Sequence, residues 1–213
     1  MRHFFKDVLE PFSYLIYAVS VFISLNSSRS IKRKVLFVYY LFATIVLFAA
    51  CYTEEDRINK LIYNIFFFIT ISVFSYYFKS LLFNRTKENI IIILFVINLF
   101  LFIRSDIIFR QVLEYNTDVY AITFVSIVVY TLFYFDQVIS NVNELNPLHQ
   151  FDFWLVSGFL LYFLSSFFII LFYYEVEVNQ RAVLWSLQNI ILFISSVLTL
   201  IGSSWIYYQK KYF

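Results

Sequence analysis

From Phe151 to Tyr174 the chain runs FDFWLVSGFLLYFLSSFFIILFYY, and Asp152 is its only formally charged residue. As a helix, such a stretch crosses the ~30 Å hydrocarbon core of a bilayer, which takes roughly 20 apolar residues. In water it would have no polar face to turn to solvent. β-Branched and aromatic side chains abound in it, and in water they would favour strands. In hydrocarbon an unpaired strand edge is too costly, whereas a helix satisfies its own backbone. The stretch reads as a transmembrane helix.

Six further stretches have the same character, giving spans at about 8–25, 35–52, 61–83, 89–103, 119–140, 153–174 and 182–208. The chain of 213 residues is 62% hydrophobic and 14% charged, against about 25% charged in soluble domains. The expected fold class is all-α: a polytopic membrane protein, one seven-transmembrane-helix bundle over residues 1–213. Span 4 is short and could continue as helix through Arg104–Arg110, whose long side chains can snorkel to the interface. Span 1 follows Arg2 and Lys6 as a signal peptide would, but a basic run rather than a small-residue cleavage site comes after it.

Lysine and arginine in the loops set orientation. Arg29, Lys32, Arg33, Lys34, Lys79, Arg85, Lys87, Lys210 and Lys211 fall on one side; Arg2, Lys6, Arg57, Lys60, Arg104, Arg110 and Arg181 fall on the other. The early loops favour an N-terminus outside and a cytoplasmic C-terminus, in the cell (plasma or inner) membrane. Trp185 and Trp205, twenty residues or about 30 Å of helix apart, suit the two interfacial belts. Trp154 would mark the cytoplasmic start of span 6.

The loops exclude much. With only Gly158 and Gly202 there is no P-loop and no GxGxxG. His3 and His149 both lie outside the spans, and Cys51 is the only cysteine, so neither a zinc site nor an internal disulfide is expected. A Ser-His-Asp triad would have to recruit the loop residue His149. No basic surface is broad enough to track nucleic acid. No enzyme, catalytic residue, metal or cofactor is expected. Cys51 reads as a buried thiol in a helix. Pro11 starts span 1 and Pro147 lies in a loop, so the spans are unbroken, unlike carriers built on unwound helices. Asn64–Thr70 echoes Asn189–Ser195, as a duplicated carrier would, although a chain this rich in Ile and Phe yields such matches by chance.

Membrane helices adhere through small residues and hydrogen bonds. Ser13, Ser20 and Ser24 in span 1, Gly158 and Ser165 in span 6, and Ser196, Thr199 and Ser203 in span 7 form candidate packing seams. Asn64, Asn98, Gln188 and Asn189 fall at similar depth in one half of the membrane. Buried amides must be paired, so this layer is either an interhelical clamp or the polar floor of an outward-facing ligand pocket, to which Arg104, Tyr63 and Thr123 could add. At the other edge, Lys79 and Asp136 are expected to pair.

Phe153-Trp154-x3-Gly158-x2-Leu161-Tyr162 in span 6, followed by Trp185 and Asn189 before a basic tail, resembles small bacterial seven-helix membrane proteins. These are similar to the N-terminal seven-transmembrane sensory region of some histidine kinases. The resemblance covers spans 6 and 7 and implies a signal-receiving module with a cytoplasmic output. The sequence carries no ATP-binding domain, so that output would pass to a separate partner. The expected function is a sensor or receptor-like protein coupling an outer-half polar pocket to a cytoplasmic signalling protein, with a small carrier or pore as the alternative. The expected partners are the lipid bilayer, that signalling protein, and further copies of the chain in a homo-oligomer.

Overall fold

The computed structural model describes residues 8–27, 30–51, 56–104, 117–140, 146–173 and 175–212. Seven helices account for nearly all of them: α1 (Glu10–Ser27), α2 (Ile31–Cys51), α3 (Asp56–Lys79), α4 (Arg85–Phe102), α5 (Thr117–Ser140), α6 (Phe151–Phe172) and α7 (Val178–Tyr212). No strand occurs among the described residues. Five helices, α2, α3, α5, α6 and α7, are long and apolar enough to cross a membrane. The apolar run Glu10–Leu25 in α1 is shorter.

Helix boundaries follow local chemistry. Asn84 caps α4, its side-chain oxygen accepting from the backbone N–H of Thr86 (2.9 Å) and Lys87 (3.3 Å). That cap ends the preceding span early. Helix α3 stops at Lys79 rather than running to Phe83, and Leu81 and Leu82 bury in the turn. Gln137 of α5 holds this turn: it accepts from the Phe83 N–H (2.9 Å) and donates to the Leu81 carbonyl (3.2 Å). Before α6, Pro147 opens a 3-10 turn capped by Asn146. The expected continuation of span 4 lies outside the described residues beyond Arg104, as does the side chain of Cys51.

Six helices close a ring in the order α1, α2, α3, α5, α6, α7, with α7 returning to α1. Helix α4 packs outside this ring, in the groove between α3 and α5. The centre is filled by interlocked aromatic rings. Tyr17 stacks on Tyr40 (4.9 Å, 9°), and Phe74 packs on Phe159 (4.7 Å) and Phe163 (5.2 Å).

The distribution of polarity is inverted relative to a soluble bundle. Ile45 is 67% exposed and Phe172 57%, whereas Ser20, Ser195 and Thr199 are fully buried. Apolar side chains form the outer surface of every helix, and hydroxyls lie between helices. Such a surface is stable against hydrocarbon, where helix adhesion comes from close packing and hydrogen bonds. The chain is a multi-pass membrane protein.

Small residues set the closest approach. A Cβ on Gly158 would lie 2.7 Å from Thr199 Oγ1, 2.9 Å from the Ser195 carbonyl and 3.2 Å from the Tyr17 hydroxyl, so α6, α7 and α1 meet there. Gly202 of α7 lies under the Trp154 ring of α6, where a Cβ would overlap it. Ser13, Ser20 and Ser24 return their hydroxyls to the carbonyls of Leu9, Ile16 and Val21. Ser196 and Ser203 do likewise, to Phe193 and Leu200. Ser165 departs from the expected seam: it is only half-buried, and its neighbour Ser166 takes the inward position. The rotation of α6 about its axis decides between two adjacent serines, and sequence spacing alone does not fix it.

Candidate functional site

Polar groups collect at both ends of the bundle. At one end, where α1, α3, α5 and α7 begin, Glu10 sits beside Pro11 in the first turn of α1 and is 7% exposed. The Tyr63 hydroxyl of α3 donates to its carboxylate at 3.3 Å. Below lies a cavity of about 20 Å³, walled by Glu10, Tyr14, Tyr63, Tyr162, Trp185 and Gln188 together with phenylalanines and Thr70. Trp185 meets Tyr63 edge-on (6.0 Å, 86°), and Tyr14 meets Phe66 the same way (5.6 Å, 82°). Gln188 donates through Nε2 to the Tyr162 hydroxyl at 3.4 Å. Its Oε1 is buried with no hydrogen-bond partner, as is the indole N–H of Trp185. The Trp185 ring is half-buried and forms part of this wall. Trp205 is 56% exposed.

The amide layer divides. Gln188 reaches the cavity wall. Asn64 accepts from the Tyr120 hydroxyl of α5, joining α3 to α5. Asn98 is saturated: Nδ2 donates to Leu94 O and Ser126 Oγ (both 2.8 Å), and Oδ1 accepts from Thr123 Oγ1 (2.9 Å). It clamps α4 to α5, and Thr123 serves that clamp rather than the pocket. Asn189 is buried beside Gln188 but does not line the cavity. Arg104 is exposed at the end of α4. Since α4 lies outside the ring, neither Asn98 nor Arg104 can share a central pocket with Gln188. Similar position along neighbouring helices does not give a common direction.

At the opposite end, Asp152 in the first turn of α6 gathers groups from α2 and α3. It accepts from the Tyr77 hydroxyl (2.7 Å) and from Arg33 (3.1 Å), with Lys32 Nζ at 3.8 Å. Arg33 also donates to the Ser24 carbonyl (3.4 Å) and lies 5.0 Å over the Phe151 ring. Asp136 pairs with Lys87, not with Lys79. The Asn84 cap carries the first turn of α4 over Phe133 and Asp136, leaving Lys79 exposed at the end of α3.

Glu10, Asp152 and Arg33 are the site residues that the amide and loop reading missed. The available signal was an ionisable residue at the very edge of an apolar helix. Among the described residues, no three His, Cys, Asp or Glu side chains gather as a metal site. No family model, no curated protein and no solved structure matches the chain.

Proposed function

We propose that the chain is a membrane sensor that receives a signal in the Glu10 cavity and passes it to the Arg33–Asp152–Tyr77 cluster. From there a separate signalling protein takes it up on the cytoplasmic face of the cell membrane. One observation carries this reading: the same helices hold both sites. Helix α1 supplies Glu10 and Tyr14 to the cavity and the Ser24 carbonyl to Arg33. Helix α3 supplies Tyr63 to one and Tyr77 to the other, about 21 Å apart along an uninterrupted helix. Helix α6 supplies Tyr162 and Asp152. Continuous helices move as rods, so a shift of α1 or α3 against α6 at the cavity alters the geometry around Asp152.

The carrier or pore reading finds less support. Between the two sites lie Tyr17, Tyr40, Phe74, Phe159 and Phe163 in mutual contact, and a transport path would have to part them. No catalytic role is proposed.

The test perturbs one end and reads the other. In a Cys51→Ser chain, Ser30→Cys reports on the α2 start, and its labelling by an impermeant maleimide is timed in membranes. Labelling only after the cell is opened agrees with a cytoplasmic Arg33 end. Glu10→Gln is expected to change that labelling rate severalfold. An unchanged rate in a folded variant defeats the coupling.

A further inference from the structure

The end of the bundle that carries the Arg33–Asp152–Tyr77 cluster has more positive charge than the cluster neutralises. Six cations of α2, α3 and α4 stand there against three acids, Glu88, Asp136 and Asp152. Asp152 takes Lys32 and Arg33, and Asp136 takes Lys87. Lys34, Lys79 and Arg85 are exposed and have no acidic partner among the described residues. Helix α3 packs against both α2 and α4, so these three cations share one flank. Helix α2 opens on Lys32, Arg33 and Lys34 with no acid in its first turn. The helix dipole opposes that placement, and a bound anion relieves it.

The same end bears exposed apolar tips. Ile31 opens α2 and is 69% exposed, Phe83 in the turn before α4 is 86% exposed, and Ile139 near the close of α5 is 71% exposed. Leu148 before α6 and Trp205 and Tyr208 near the end of α7 are exposed too. Such tips are costly in water. At a bilayer surface they lie against the boundary of headgroups and acyl chains, while neighbouring lysines and arginines reach the phosphates. We infer that the α2–α3–α4 flank holds anionic phospholipid headgroups through Lys34, Lys79 and Arg85. The tips belong to α2, α5, α7 and two turns, so they are spread around the ring. A leaflet surrounding the bundle covers all of them, whereas a docked protein covers one patch. A zwitterionic headgroup brings a positive charge of its own, so the excess of cations favours a lipid of net negative charge.

The test reconstitutes the purified full chain in phosphatidylcholine bilayers with a trace of spin-labelled phosphatidylglycerol or spin-labelled phosphatidylcholine. Electron paramagnetic resonance then reads the motionally restricted fraction of each label. Phosphatidylglycerol is expected to associate about twofold or more over phosphatidylcholine at low salt, with the ratio falling towards one in high salt. Lys34→Gln, Lys79→Gln and Arg85→Gln together should remove most of the preference while circular dichroism shows the helices retained. Arg104→Gln, at the other end of the bundle, should leave it unchanged. If the triple variant does not fold, the single variants are read instead, and each should lower the ratio. Equal association of the two labels overturns the inference. So does a preference that survives in the folded variants, or one that falls equally in Arg104→Gln. A soluble polyglutamate peptide that binds the chain in phosphatidylcholine nanodiscs, with the two labels associating equally, assigns these cations to an acidic protein partner and also overturns it.

Discussion

Replacing Gly158 by alanine sets two effects of opposite sign against each other. Alanine is the better helix residue, by roughly 0.5–1 kcal/mol. The added methyl, however, would lie 2.7 Å from Thr199 Oγ1 and 2.9 Å from the Ser195 carbonyl, closer than side chains tolerate. Thr199 Oγ1 donates to that carbonyl at 3.0 Å, and the Tyr17 hydroxyl is bonded to Ser195 Oγ at 2.8 Å. A backbone oxygen on α7 cannot turn aside as a flexible side chain can. Helix α6 must therefore move away, and Tyr17 and Phe159 lose packing with it. Overfilling a packed site costs about 1–3 kcal/mol. The balance is a loss of about 1–2 kcal/mol, measurable as unfolding free energy in mixed detergent–SDS micelles. Thr199→Ala in the Gly158→Ala background removes the nearest atom and should recover part of the loss, giving a coupling of about 0.5 kcal/mol or more. A Gly158→Ala protein as stable as the parent, or more stable, would refute the close crossing and the argument built on it.

Further outcomes follow from the polar pairs. Asn98→Leu should destabilise the bundle by about 1–2 kcal/mol in the same assay, since membrane hydrogen bonds contribute about 0.6 kcal/mol on average and three are lost. Lys87→Ala should cost under about 1 kcal/mol and lose that effect in high salt, the Asp136 partner being 66% exposed; Lys79→Ala should change nothing, and a larger effect of Lys79 would contradict the pairing.

Position along each helix was legible in the sequence, and direction around it was not. Seven apolar runs locate seven helices because a long apolar run away from water satisfies its backbone only as helix. The end of α3 was misread for the same reason. Leu81–Phe83 continues the apolar run, while the stop is imposed by Asn84 capping the next helix. Counting residues places Asn64, Asn98 and Gln188 towards the same end of their helices. Whether they meet depends on helix rotation and on α4 lying outside the ring, and both are settled by packing between helices. The Lys79–Asp136 expectation failed in the same way, through a competitor one helix further on. Glu10 escaped notice because a single acid before an apolar run resembles ordinary helix-start chemistry. Its burial is visible only once α3 and α7 close over it.

Helices α1 and α7 stand side by side, yet their apolar runs differ greatly in reach. Among the described residues, Glu10–Leu25 extends about 24 Å and Gln180–Gln209 about 45 Å. A hydrocarbon slab of ~30 Å matches neither when both stand upright. Tilt accommodates the longer run in part, and local thinning of the bilayer accommodates the shorter. Acyl chains around this protein therefore meet walls of unequal height, and a change in lipid tail length presses on its two sides differently.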